Sequence, residues 1–169
     1  VSGEPSASVC RVLGIDPGLN VTGYAVVDFA GRQPRIVEAG AIRTDAGRSL
    51  ARRVAQIHEE LSDLLAELHP DAVAIEKLYA HYKHPRTSIL MAHARGVILL
   101  AAESAEVPVQ DLPATKVKKS LTGNGHASKQ QMQHAVQAEC GLSEAPEPPD
   151  VADALAIALC GGRHLTRHA

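Results

Sequence analysis

Residues 10–28 read CRVLGIDPGLNVTGYAVVD, and the fold follows from how that stretch is punctuated. CRVLGID, from Cys10 to Asp16, is an apolar run of strand length closed by the turn pair Pro17-Gly18. VTGYAVVD (Val21 to Asp28) is a second β-rich run, and PRIVEAGAIRT (Pro34 to Thr44) is a third beyond a turn bearing Gly31. Three neighbouring strands on short connections predict an antiparallel meander.

Beyond Ser49 the period changes. Leu50, Val54, Ile57, Leu61, Leu64, Leu65 and Leu68 recur at three- and four-residue steps, the stripe of an amphipathic helix that His69-Pro70 ends. DAVAIE (Asp71 to Glu76) predicts a fourth strand, and the polar stretch Lys77 to Arg86 a loop. A helix over Thr87 to Glu106, apolar on more than one face, precedes a fifth strand, VPVQDL (Val107 to Leu112). Pro113 suits the start of a short helix carrying Lys116, Lys118 and Lys119. A helix over Ser128 to Cys140 and a last one over Asp150 to Cys160, ending at Gly161-Gly162, complete the order βββαβαβααα. That order predicts an α/β fold, a five-stranded mixed sheet flanked by helices. With 169 residues the chain suits one such domain, spanning 10–161, between a disordered N-terminal extension (1–9) and a C-terminal tail (162–169).

Two acids stand where packing does not ask for them. Asp16 ends the first strand and Glu76 the fourth, and unpaired carboxylates at the ends of buried strands are expensive. Asp150 and Asp153 lie three apart at the start of the last helix and so share a face. Four carboxylates from three elements can converge at one edge of the sheet. They would repel one another unless hard divalent cations, which prefer oxygen ligands, sat between them. Simpler roles exist for three of them: a turn former before Pro17-Gly18 at Asp16, a surface strand end at Glu76, a helix cap or first-turn acid at Asp150. The nine histidines offer His81/His84 and His164/His168 as pairs, but no cysteine stands at structural-zinc spacing beside them.

Bulk composition argues mildly against a nucleic-acid partner, with a formal charge of -2 and only 2% aromatic residues. Placement argues otherwise. Lys77 to Ala138 carries eight basic residues against Glu103, Glu106 and Asp111, a net of +5 that leaves −7 elsewhere. No acid falls between Leu112 and Ala138. Lys83, Arg86, Lys116, Lys118, Lys119 and Lys129 form a candidate phosphate track. Tyr79 and Tyr82 lie in the loop just after Glu76, where an aromatic ring can stack on a base. Tyr24 reads as core, and Arg11 has no evident role. Three widely spaced cysteines fit reduced thiols in a cytoplasm, no run is long enough to span a membrane, and residues 1–9 show no secretory signal.

Four segments in this order resemble the RuvC Holliday-junction resolvases: LGIDPGLNVTGYAVVD (13–28), AIEKLY (74–79), ARGVILLAA (94–102) and DVADALAIAL (150–159). GIDPG alone is also similar to the Gly-Ile-Asp-x-Gly turn that opens actin-like ATPases, whose second lobe a chain of 169 residues has little room for. The resemblance covers about residues 10–161 and implies a ribonuclease H-like fold. It implies that Asp16, Glu76, Asp150 and Asp153 bind two Mg²⁺ or Mn²⁺ ions for DNA phosphodiester hydrolysis. Some relatives carry histidine at the position of Asp150, so that ligand is the least fixed in identity. Symmetric nicking of four-way junctions, with 5′-phosphate and 3′-hydroxyl products, is the implied activity. A homodimer, with the Thr87–Glu106 region at its interface, and RuvA and RuvB as branch-migration partners are the implied assemblies. Lys118 and Lys129 match DNA-contacting lysines, and Tyr79 matches a position where the family usually places a DNA-stacking phenylalanine.

Overall fold

The computed structural model describes residues 9–31, 33–79 and 85–166. The three strands of the meander are β1 (Cys10–Asp16), β2 (Val21–Phe29) and β3 (Pro34–Arg43), followed by α1 (Leu50–Leu68) and β4 (Ala72–Glu76). Then come α2 (Pro85–Ser104), β5 (Val109–Leu112), α3 (Ala114–Thr122), α4 (Lys129–Cys140) and α5 (Pro149–Thr166). The five strands form one sheet in the order β3-β2-β1-β4-β5. β1/β2 and β2/β3 pair antiparallel, whereas β1/β4 and β4/β5 pair parallel, so the sheet is mixed as the element order predicts.

Both faces of the sheet are covered, and the strand period sorts side chains between them. In β1, Leu13 and Ile15 join the core beneath α1 and α2, while Val12 joins the core beneath α3, α4 and α5. β4 repeats the pattern, with Val73 and Ile75 on the first face and Ala74 on the second. Tyr24 packs against the α1/α2 core as expected, its hydroxyl donating to Glu38 Oε1 at 2.9 Å. Local chemistry sets the helix ends. The Ser49 side chain accepts from the N–H of Arg52 to cap α1, and Ser128 with Gln131 forms a reciprocal capping box on α4.

The last helix departs from expectation. Gly161-Gly162 reads as a stop, yet α5 runs through both glycines to Thr166, so the first five residues of the expected tail are helical. The glycines serve close packing. A Cβ on Gly162 would lie 2.1 Å from the Phe29 ring, and one on Gly161 would lie 2.7 Å from the Ala74 Cβ. Two smaller shifts concern α2, which starts at Pro85, and β5, which begins at Val109.

Arg11 has a structural role that its sequence context does not announce. Its Nε and Nη2 donate to the two carboxylate oxygens of Asp28 at 2.6 and 3.0 Å, and its Nη1 donates to the Leu68 carbonyl at 2.7 Å. Asp28 is only 4% exposed, and its carboxyl is held below the ordinary range chiefly by the hydrogen bond from Arg11, with Arg35 helping. The pair pins β1 to β2 and to the end of α1. A depressed carboxyl pKa contributes stability above its ordinary value of 3.8, and that stability is lost as pH falls through the depressed value. Arg11→Met should therefore cost about 2 kcal/mol at neutral pH, lowering Tm by about 4–8 °C. The gap should narrow as pH falls below 3.8, leaving the part due to the Leu68 hydrogen bond, as thermal unfolding across pH will show.

Candidate active site

The strand ends assemble the site. β1 and β4 are parallel neighbours with Ile15 opposite Ile75, so the next residues, Asp16 and Glu76, emerge together at one end of the sheet. The third element is α5, which carries Asp150 in its first turn and Asp153 one turn on. Gly23 faces Asp16 in the β1/β2 register and lets that turn approach, because a Cβ there would lie 2.2 Å from the Asp150 carbonyl oxygen. The fold thus brings the four sequence-predicted acids to one end of the sheet.

Asp16, Glu76 and Asp153 line a cleft of about 310 Å³ whose other wall carries Lys118 of α3 and Lys129 of α4. Asp150 does not line it, although its charge is felt at Asp16. Burial, then the charges of Asp153, Glu76 and Asp150, push Asp16 up to about 7, with Lys129 pulling the other way. Glu76 is also raised, by burial and by Asp153, and Lys118 opposes that rise. Lys129 Nζ lies 3.5 Å from Asp153 Oδ2, and both side chains are substantially exposed. The carboxylates therefore repel each other across a cleft that two lysines only partly compensate.

Among the described residues, no three His, Cys, Asp or Glu side chains are gathered into a ready-made metal cage. The donor set nonetheless suits Mg²⁺, which keeps several waters and binds through one or two carboxylates plus substrate phosphates. His81, His84 and His168 lie outside the described residues, as do Lys83 and Tyr82.

A second cavity of about 440 Å³ adjoins the first, sharing Asp16 and Glu76 and continuing along Pro17, Lys77, Tyr79, Met91 and Thr115. Tyr79 is 53% exposed there, with Lys77 Nζ 5.9 Å from the ring centroid. Met91 belongs to this wall without any signal in the sequence, since it sits mid-helix among apolar neighbours. The basic residues divide. Lys118 and Lys129 stand against the acids, whereas Lys116, Lys119 and Arg86 are exposed and line neither cavity. Arg95, outside the candidate track but counted in the basic stretch Lys77–Ala138, pairs with Asp111.

A mixed sheet with acids on adjacent strand ends, flanked by helices on both faces, defines the ribonuclease H-like class, within which the comparisons fall. Residues 12–161 match the family model described as "Crossover junction endodeoxyribonuclease RuvC". A protein of that name from Rhodopirellula baltica is 51% identical over 161 residues, covering 95% of this chain and 90% of the relative. The Thermus thermophilus RuvC structure superposes with a TM-score of 0.87 at 34% identity, over 94% of this chain and 96% of that one. A second Thermus thermophilus RuvC structure, in complex with Holliday junction substrate, superposes with a TM-score of 0.88 at the same identity and coverage. This chain belongs to the crossover junction endodeoxyribonuclease RuvC family, a family of metal-dependent nucleases.

The repulsion has a measurable consequence without any substrate. Because Asp16 is raised, its ionised form opposes folding; that penalty is full above about pH 7 and absent below pH 3.8. At pH 8, Asp16→Asn should raise the Tm of the metal-free protein by about 2–4 °C. Added Mg²⁺ should narrow the gap by stabilising wild type more. Differential scanning calorimetry with and without Mg²⁺ checks both statements.

Proposed function

We propose that this chain, with residues 10–161 as its nuclease domain, resolves four-way (Holliday) junction DNA in recombination and repair by symmetric paired nicks. Asp16, Glu76, Asp150 and Asp153 would hold two Mg²⁺ or Mn²⁺ ions per site. The observation that carries the reading is the cleft where mutually repelling carboxylates face two lysines. Bound cations would supply an activated water and neutralise the leaving oxygen.

The chain's own groups do the rest. Asp16 and Glu76 hang from hydrogen-bonded neighbouring strands, so their separation is fixed by backbone rather than by flexible loops. Asp153 reaches the same cleft from the first turns of α5. Asp150, which acts on Asp16 through its charge without lining the cleft, would be the ligand of least fixed identity. Lys118 and Lys129 offset the acids' charge and stand where an incoming phosphate would pass. The exposed Arg86, Lys116 and Lys119 would extend the positive track along the junction arms, and Lys83 joins the proposal from the sequence alone. Tyr79 presents an exposed ring beside Glu76, suited to stacking on a base at the junction centre.

A two-fold junction calls for a two-fold enzyme with one site per strand. Support for a homodimer through α2 comes from Ile89 and Leu100, 58% and 56% exposed, and from an open groove between α1 and α2 lined by Val54, Val97 and Leu100. RuvA and RuvB enter the proposal as partners by family membership alone, and so does a cytoplasmic location. Among the described residues, no helix is long and apolar enough to cross a membrane.

With synthetic junctions and Mg²⁺ or Mn²⁺, Glu76→Gln and Asp16→Asn should still bind the junction while cleavage falls by about 100-fold or more. Cleavage at the wild-type rate would sink the assignment. Tyr79→Ala should lose about tenfold or more in cleavage, since stacking is worth about 1–3 kcal/mol, whereas Tyr79→Phe should keep most of it. Equal losses in the two variants would argue against a stacking role.

A further inference from the structure

Arg53, in the first turn of α1, is 7% exposed, yet among the described residues it makes no ion pair. A desolvated guanidinium normally has a carboxylate partner. Here the partners are neutral. Nε donates to Thr44 Oγ1 at 2.9 Å, and Nη2 donates to Asn20 Oδ1.

Asn20 belongs to the turn that follows Asp16, and Thr44, just past the end of β3, is hydrogen-bonded to that turn. Thr44 Oγ1 donates its own proton to the Leu19 carbonyl at 2.5 Å, leaving its lone pairs for Arg53. The Thr44 backbone N–H donates to the Asn20 carbonyl at 3.1 Å, and Thr22 Oγ1 donates to the Gly18 carbonyl at 2.7 Å. Three consecutive carbonyls of the turn, at Gly18, Leu19 and Asn20, are thus tied down. Gly18 leaves no slack either, since a Cβ there would lie 2.3 Å from the Val21 carbonyl oxygen. Arg53 closes this strap from the helix side. Its charge is not among those that act on Asp16, which come from Asp153, Glu76, Asp150 and Lys129. Its influence on that carboxylate is therefore geometric.

We infer that Arg53 is a positioning residue: through Asn20 and Thr44 it locks the Gly18–Asn20 turn and so fixes the Asp16 carboxylate relative to Glu76 on the adjacent strand. A misplacement of about 1 Å at a reacting centre costs about 100-fold in rate, which gives such a lock its purpose. The inference rests on Asp16 being a metal ligand, as proposed above.

The test uses Asn20→Ala, whose exposed side chain spares the fold, beside Arg53→Met, which keeps the volume and removes the donors. Three quantities are read: kcat on a synthetic junction at saturating Mn²⁺, KM for the junction, and Mn²⁺ affinity of the DNA-free protein by calorimetry. Both variants should lose about 10–100-fold in kcat and about tenfold in Mn²⁺ affinity, with junction KM within about twofold of wild type. Arg53→Lys should restore part of the loss. Wild-type kcat and Mn²⁺ affinity in Asn20→Ala, measured well below its Tm, would overturn the inference even if Arg53→Met failed to fold. Asp16→Asn run alongside separates the two ideas. If it keeps wild-type Mn²⁺ affinity, the ligand assignment itself is wrong. If it loses Mn²⁺ while Asn20→Ala does not, only the positioning role is wrong.

Discussion

Mutual repulsion among carboxylates at one end of the sheet is the constraint around which the molecule is arranged. Asp16 is raised to about 7 because it is buried beside Asp153, Glu76 and Asp150. A fold left to optimise stability would disperse such charges, so the rest of the structure must hold them against their preference. Backbone does most of that. The parallel β1/β4 register fixes Asp16 beside Glu76, and the close approach of α5 at Gly23 sets Asp150 and Asp153 against the same sheet end. Lysines relieve the repulsion without abolishing it, since Lys129 lies 3.5 Å from Asp153 and is itself 62% exposed. A cleft in that state favours divalent cations and the phosphates that accompany them.

Two buried or half-buried arginines solve opposite problems. Arg11 meets a buried carboxylate, Asp28, and ties together elements at the start of β1. At about 3.3 Å per residue, five residues of strand set it roughly 17 Å from Asp16. Arg53 is as deeply buried as a working core residue, yet it binds only neutral oxygens around the turn that follows Asp16. The first adds stability where no chemistry occurs. The second spends desolvation to keep a turn rigid next to groups that repel. This division, with a fully paired buried carboxylate away from the site and only partly compensated groups at it, is what a stability–function trade-off predicts.

How much of this was legible in the sequence depends on the range of each interaction. Strand and helix periods are local, so β1, β2, β3 and α1 were readable within a residue or two, and the four acids were marked by their positions at element ends. Gly161-Gly162 was misread because a glycine pair looks the same whether it ends a helix or lets one touch a neighbour. Only the positions of Phe29 and Ala74 decide, and they are far away in sequence. Arg11 and Arg53 were opaque for the same reason, as their partners lie 17 and 33 residues away. Met91 gave no signal because a wall of the Tyr79 cavity and a plain helix interior both accept an apolar side chain.

Charge shows the same dependence on placement. The total of -2 hides a basic stretch of +5 between Lys77 and Ala138, and the structure refines even that figure. Arg95 is consumed by Asp111, whereas Lys118 and Lys129 are delivered to the acids by α3 and α4, two helices that share a core with α5. Their useful number is therefore set by helix packing rather than by composition. With Asp16 and Glu76 ionised, two lysines facing three cleft carboxylates leave a local excess of negative charge. An anionic DNA strand would be repelled by that excess unless cations preceded or accompanied it. Metal and DNA should consequently bind this cleft with positive coupling, each lowering the electrostatic cost of the other, and that coupling arises from which side chains the fold brings together.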